Sequence, residues 1–537
     1  MMRMKGAVLL LFYVNFEEVF MKFFKAIAKP FTVFNPDRSA LYAFVLGAAS
    51  VLGFAPFNIS PAMLATLMGL FFLWQKAETS FEAMRIGLWF GLGMFGLGTS
   101  WLFSSMYFYS GMNIVSSALA TFIFVLFLSL YLLVAGLIVS KLKQSNPDRK
   151  WVDLAIMMPL VWVLMEWIRG SWFTGFPFLL AGNTHLDTWL DGYAPVFGVL
   201  GVSWAIATSA GLFVLLLKSR LWLPISAAFA CVWLLGAGLK QITWVHPEGK
   251  PVKVALLQGN IPQDKKWLAS EFMPSMKVYV EQTKQNMDAD VIVWPETAIP
   301  AYYDLVQEGV LKSFIRDAQL LEKDILLGVI ARTNDHEKYY NALVNARDSQ
   351  EFYYKKHLVP FSEYFPFANF FKALSLLFNI PFSEFSEGDV VNKPMKLGGQ
   401  MAGVTICYEI AFGDEMAKTV AKTRYLITVS NDAWFAHTFE PAQQVQDVQM
   451  RALELGREIA RSTNTGYTMI VGVDGLIKAK IPAYKAGVLK GDVQPYVGET
   501  FFAKWKLLPI QLLMGVGLMF VLGARFYKSR KKAVSAE

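Results

Sequence analysis

The chain has 537 residues, 55% of them hydrophobic and only 17% charged, with a mean hydropathy of +0.38 and a formal net charge of +8. A soluble protein carries about a quarter charged residues, so a wholly soluble fold is excluded, and two cysteines cannot build a disulfide framework. The basic residues are not interleaved with aromatic ones in a stripe on the polar part of the chain, so nucleic-acid binding has little support.

At the start, Gly6 to Val14 is apolar but short, and Glu17 and Glu18 follow at once, which makes a poor signal peptide. Met1, Met4 and Met21 are alternative first residues. Seven apolar runs follow, near 40–57, 60–75, 84–107, 113–140, 152–169, 193–217 and 221–239, and an eighth lies near 507–525. Each is read as a membrane span, about 18–20 apolar residues being needed to cross a bilayer. Lysine and arginine cluster at alternate ends of these runs: Lys22, Lys25, Lys29 and Arg38; Lys76 and Arg85; Lys141, Lys143, Arg149 and Lys150; Lys218 and Arg220; then Arg525, Lys528, Arg530, Lys531 and Lys532. The intervening loops around 57–60, 108–112 and 170–192 hold almost none. By the positive-inside rule both termini are expected in the cytoplasm and residues 245–500 on the outer face. The expected division is 1–244 membrane domain, 245–500 soluble domain, and 501–537 last span with a basic tail. Glu166 and Arg169, near a span end, are expected to meet lipid headgroups or each other.

In the soluble part, strands are predicted at Val252–Gln258, Val291–Trp294, Ile325–Ala331, Ala342–Arg347, Gly403–Ile406, Tyr425–Val429 and Thr468–Val473, and helices near 270–288, 305–322, 412–422 and 440–461. Apolar strands alternating with helices imply sheets covered by helices, with functional groups at strand C-termini. Three segments end that way: Val291-Ile-Val-Trp-Pro-Glu296, Phe352-Tyr-Tyr-Lys355 and Gly403-Val-Thr-Ile-Cys407, with Glu409 two residues on. A lone cysteine is most simply a buried structural thiol. A thiol, a carboxylate and an ammonium at strand ends together are the parts of a cysteine acyl-transfer site. The five histidines show no metal-ligand spacing, and no metal or cofactor is expected. Asn431 and Asp432 are read as loop-holding residues.

Trp294-Pro-Glu-Thr297, Lys355-Lys-His-Leu-Val-Pro-Phe361 and Cys407-Tyr-Glu409 resemble the three catalytic motifs of the nitrilase, or carbon–nitrogen hydrolase, superfamily. Their setting between seven spans and an eighth is similar to its membrane branch, the apolipoprotein N-acyltransferases. The resemblance extends to Leu257-Gln-Gly-Asn-Ile-Pro-Gln263, Ser430-Asn-Asp-Ala-Trp434 and Met450-Arg-Ala-Leu-Glu454, with Ser362 where the family more usually has glycine. It implies an α-helical membrane domain of about eight spans joined to an α-β-β-α sandwich. It implies a Glu296-Lys355-Cys407 triad, and it selects Lys355 over Lys356. Glu363 and Glu409 are implied to orient Lys355 and tune the thiol, and Tyr408, Trp267 and Asn341 to lie near the acyl pocket. His357 is read as a structural part of its motif, so a Cys–His dyad is rejected.

The implied reaction begins with Glu296 taking the Cys407 proton, while Lys355 lowers the thiol pKa and holds the oxyanion with backbone amides. The thioester then passes its acyl chain to an amine. The resemblance names a membrane phospholipid as donor and the α-amine of an N-terminal diacylglyceryl-cysteine on an apolipoprotein as acceptor, with ping-pong kinetics, in the inner membrane of a bacterium, by a monomer. An anchored amidase, and a transporter or receptor with a binding domain, are the alternatives.

Overall fold

The structure is a computed structural model that describes residues 37–144, 149–364, 385–435 and 437–534, with side chains of the last helix as far as residue 525. The alternative starts and Lys22, Lys25 and Lys29 lie outside the described residues. Helices stand at all eight positions where spans are expected: α1 (Arg38–Ser50), α2 (Ser60–Lys76), α3 (Ser80–Gly98) with α4 (Trp101–Tyr109), α5 (Ile114–Leu142), α6 (Lys150–Ser171), α7 (Ala194–Leu216), α8 (Trp222–Lys240) and, after the soluble part, a C-terminal helix Leu508–Val534. Side-chain caps begin several of them. Asp37 accepts from Ala40 N at 2.8 Å, Thr79 from Glu82 N at 3.1 Å and Asn113 from Ser116 N at 2.9 Å.

Among the described residues five helices have the length and apolarity to cross a bilayer, and α3 with α4 makes a sixth, bent by 49° at its break. With 13 and 17 residues, α1 and α2 are shorter than these, and they pack closely against the long helices. Small residues make this possible: a Cβ at Gly93 would run into the Phe44 carbonyl of α1, and one at Gly87 into the Leu132 carbonyl of α5. By contrast, Gly236 is the only buried residue of α8, which packs on the bundle along one face through Ile225, Phe229, Val232 and Trp233.

Between residues 245 and 498 the described chain forms two six-stranded sheets. The first has the order β13-β2-β3-β4-β5-β6, with β2 (Val252–Gln258), β3 (Val291–Val293), β4 (Asp324–Arg332), β5 (Tyr339–Asn345), β6 (Phe352–Tyr354) and β13 (Gly487–Val493). The second has the order β12-β11-β10-β9-β8-β7, with β7 (Lys393–Leu397), β8 (Gln400–Ile406), β9 (Tyr425–Ser430), β10 (Ile459–Thr463), β11 (Met469–Val471) and β12 (Ile477–Lys480). A small ribbon pairs β1 (Val245–Pro247) with β14 (Tyr496–Gly498).

Alternate residues of each strand face opposite ways. Val252, Val254 and Leu256 of β2 meet Val404, Ile406, Ile427 and Val429 of the second sheet. Ala255 and Leu257 point outward, under α9 (Ala269–Lys284) and α10 (Lys312–Leu320), where Tyr279 and Ile315 pack on Ile292, Trp294 and Leu327. Across the other sheet lie α11 (Glu440–Leu455) and α12 (Phe501–Trp505), with Val448, Ala452 and Phe502 on Leu426, Ile459 and Val471. The layers are α-β-β-α.

One expected helix ends early. Gly456, at φ 62°, takes a left-handed conformation and stops α11 at Leu455, and residues 459–463 become β10 rather than the last turn of a 440–461 helix. Similarly, the 305–322 helix is two short ones, Tyr303–Val306 and α10.

Helix α11 also joins the two domains through a polar face. Gln443 donates to Gly98 O and accepts from Trp101 Nε1, and Gln446 accepts from Ala55 N. Asp447 accepts from Asn183 Nδ2 at 2.8 Å, and Glu454 accepts from Val199 N at 2.6 Å. That amide is free because Gly198, at φ 70°, breaks the ladder of α7. Burial pushes the carboxyls of Asp447 and Glu454 up to about 7 each, against the pull of Arg451. Both therefore bind protons more tightly folded than unfolded, so their contribution to stability is fully present below about pH 4 and is lost as pH rises to about 7. Thermal unfolding in detergent should show this slope, and Asp447→Asn, which keeps an acceptor for Asn183, should flatten it. An unchanged slope in the variant would remove Asp447 from the account.

Candidate active site

The site lies at one end of the sandwich and draws on both sheets. Pro295 ends β3 and Glu296 follows it, 8% exposed. Beyond β6 comes Lys355, fixed at its backbone by Lys355 N donating to Asn341 O at 2.9 Å. Its Nζ is 3.6 Å from Glu296 Oε1 and 2.9 Å from Glu363 Oε2, so one ammonium sits between two carboxylates. Asn341 ties them together, its Nδ2 donating to Glu296 Oε1 at 2.7 Å and to Glu363 Oε1 at 2.9 Å. Burial opposes the charge on Lys355, but Glu363 and Glu296 overcome it and hold the ammonium above the usual lysine range. Lys356 is exposed and pairs with Glu387 at 2.7 Å.

Cys407 follows β8 with φ 55°, a left-handed conformation rarely held by a non-glycine residue. There the chain turns from strand into the 3-10 turn Cys407–Ala411. The register Ile406↔Val429 places Ser430 beside the thiol on the neighbouring strand. Burial, followed by the negative charge of Glu296, pushes the thiol well above its usual range, and the opposing pull of Lys355 and of a hydrogen bond with Ser430 does not restore it. This corrects the expectation that Lys355 leaves a lowered thiol pKa: the resting group is a neutral thiol that needs a base to take its proton.

Glu409 has a different part from the expected one. It does not hydrogen-bond Lys355. Its carboxylate accepts from Ile406 N at 2.7 Å, Lys356 N at 2.7 Å, His357 N at 3.1 Å and Tyr353 OH at 2.6 Å. It thereby fixes the Cys407 turn to the chain just after Lys355. Tyr408 gives its hydroxyl to Gly175 O at 2.9 Å, and His357 is placed between Glu415 and Thr174 O, so both link this turn to the loop after α6. Trp267 is 51% exposed. Arg169 and Glu166 neither pair nor face outward. Arg169 donates to Phe176, Phe178 and Leu179 carbonyls, while Glu166 accepts from Trp162 Nε1 and Ala181 N.

Two supports escaped the sequence reading. Asn431 is more than a loop holder, because its backbone N–H donates to Glu296 Oε2 at 2.8 Å. Its place just past β9, beside the Cys407 strand, was the available signal. Lys266 is fully buried and donates to Glu296 O at 3.2 Å, with burial pulling it down to about 8 against the charge of Glu296. In the pair Lys265-Lys266 it reads as surface. Asp432 pairs with Arg461 at 3.0 Å and accepts from Ser430 Oγ, which anchors the wall beside the thiol.

Residues 46–212 match the family model described as the apolipoprotein N-acyltransferase N-terminal domain, and 253–501 match that of the carbon–nitrogen hydrolases. A protein of Methylococcus capsulatus named apolipoprotein N-acyltransferase is 37% identical over 501 residues, 93% of this chain and 98% of its own. The chain belongs to the apolipoprotein N-acyltransferase family. A second member, from Nitrosomonas europaea, is 36% identical over 91% of this chain and 98% of its own. Among solved structures, an amidase of the nitrilase superfamily from Nesterenkonia matches at 13% identity, covering 48% of this chain and 96% of its own, with a TM-score of 0.33. As a family member the chain is an acyltransferase of the carbon–nitrogen hydrolase superfamily, with a membrane domain of apolar helices.

Proposed function

We propose that the protein moves an acyl chain from a membrane phospholipid, through a thioester on Cys407, to the α-amino group of the diacylglyceryl-cysteine that begins an apolipoprotein. The observation that carries this reading is the single ammonium held between Glu296 and Glu363 beside a strand-end thiol. Glu296 takes the Sγ proton as the thiol attacks the ester carbonyl, and Lys355 stabilises the oxyanion. The intermediate collapses to the thioester, and the proton on Glu296 leaves with the lysophospholipid alkoxide. Glu296 then takes a proton from the attacking amine and returns it to sulfur as the amide forms.

In the same reading residues 1–244, 245–500 and 501–537 are the membrane domain, the catalytic domain and the last span with its tail. The protein lies in the inner membrane of a bacterium as a monomer, with the catalytic domain on the periplasmic face and both termini in the cytoplasm. Glu363 and Asn341 position the Lys355–Glu296 pair, and Tyr408 and Glu409 position the Cys407 turn.

Intact-mass measurement tests the two steps separately. With phospholipid alone the wild-type protein should stall with one acyl group on Cys407, and a peptide bearing an N-terminal diacylglyceryl-cysteine should discharge it. Glu296→Gln should never acquire the group. Steady release of fatty acid without acceptor, at a rate comparable to transfer, would favour the anchored amidase.

A further inference from the structure

The end of the helix bundle away from the catalytic domain gathers positive charge, with the Asp153 carboxylate facing Lys143 and Lys150. Lys76 ends α2, Lys150 opens α6 and Lys218 follows α7. The Lys76 and Lys218 ammonium groups both lie over the ring of Phe72, at 4.5 Å and 4.3 Å from its centroid. Burial, then the charges of Lys150, Lys76 and Lys143, holds Lys218 below the usual lysine range, so every charged neighbour acting on it is a cation. Lys143 is provided for: it donates to the carbonyls of Gln75 and Ala77, and Asp153, Glu82 and Glu78 face it. Among the described residues no carboxylate pairs with Lys76, Lys150 or Lys218. Like charges collected in this way repel, and an anion placed among them relieves that repulsion.

The depth of the cluster says which anion. Trp151 and Trp222, 47% and 64% exposed, adjoin Lys150 and the Lys218 turn, and exposed tryptophans of membrane helices sit at headgroup level. Leu217, Leu221 and Leu223 are exposed beside Lys218 and offer an apolar surface to acyl chains. Val199 meets the catalytic domain at the other end of α7, about 30 Å away at 1.5 Å per residue, so the cluster is remote from Cys407.

We propose that Lys76 and Lys218, which share the ring of Phe72, bind together with Lys150 the phosphodiester headgroup of an anionic phospholipid in the leaflet opposite the catalytic domain. The three lysines come from α2, α6 and the end of α7, so one headgroup ties three helices together. The lipid here is a structural ligand, distinct from any acyl donor.

Native mass spectrometry of the full chain in detergent tests this with phosphatidylglycerol, with phosphatidylcholine and with inorganic phosphate. The wild type should retain phosphatidylglycerol selectively, excess phosphate should not displace it, and the lipid should raise the thermal midpoint. Lys76→Gln with Lys218→Gln should weaken retention about thirtyfold, near a factor of five for each charge removed. Lys76→Arg with Lys218→Arg should restore it, and acylation of Cys407 should be unchanged in both pairs. Lys150→Gln alone is the second variant, with a smaller loss expected should the double change fail to fold. Equal retention of phosphatidylcholine, undiminished retention by the glutamine variants, or displacement by phosphate would each overturn the proposal, the last assigning the cluster to a soluble anion.

Discussion

Cys407→Ser should lower acyl transfer by roughly 10³-fold or more, the scale on which a covalent enzyme loses its nucleophile. The resting thiol is already held neutral by burial and by Glu296. A serine hydroxyl in that place is a far weaker acid, and Glu296 is too weak a base to ionise it. The left-handed turn at position 407 and the Glu409 bonds to Ile406 N and Lys356 N do not depend on sulfur, so the variant should keep its thermal midpoint. Cys231→Ser is the control: that residue is exposed on α8 and should be neutral. Initial rates with phospholipid and a diacylglyceryl peptide, beside intact mass for the acyl group, measure both changes. Substantial activity in Cys407→Ser would end the thioester reading.

Lys355→Ala and Lys356→Ala should differ by two to three orders of magnitude in rate although the residues are adjacent. Removing one preorganised oxyanion partner costs about 10²–10³. Lys355 also neutralises two buried carboxylates, and taking away one partner of a buried ion pair destabilises by roughly 3–5 kcal/mol, so its loss should lower the thermal midpoint as well. Lys356 holds an exposed pair with Glu387, worth about 0–1 kcal/mol, and its loss should change neither quantity much. Equal losses at the two positions would show that the burial of Lys355 has been misread as function.

The strand-end logic that pointed to Glu296, Lys355 and Cys407 was legible because β3, β6 and β8 are short apolar runs that stop at a polar residue. The spans were legible for the same reason, with α1 and α2 the shortest of them. Strands β7, β10, β12 and β13 were not found. Lys393–Leu397 and Ile477–Lys480 alternate with lysines and read as surface, and Ile459–Thr463 runs on from a helix whose end is set by one left-handed glycine. The role of α11 was hidden for another reason. Gln443, Gln446, Asp447 and Glu454 look like a solvated helix face until the membrane domain is seen to supply their partners. Asn431 acts through its backbone N–H, which side-chain identity cannot reveal.

The arrangement of Glu296, Lys355 and Glu363 has an electrical consequence. With a neutral thiol the four groups sum to a charge of minus one. Passing the Sγ proton to Glu296 leaves that sum unchanged, as do forming the oxyanion, releasing the lysolipid and accepting a neutral amine. One negative charge migrates from carboxylate to sulfur to oxygen and back inside an enclosure whose total never alters, so no stage of the proposed cycle must bring a new ion into a poorly solvated space. The exception is an acceptor that arrives as an ammonium ion, which adds a charge and must shed a proton to the bulk before it can attack. The acidity of the incoming amine, near 8 for an α-amino group, is then the quantity through which the surrounding pH reaches the reaction.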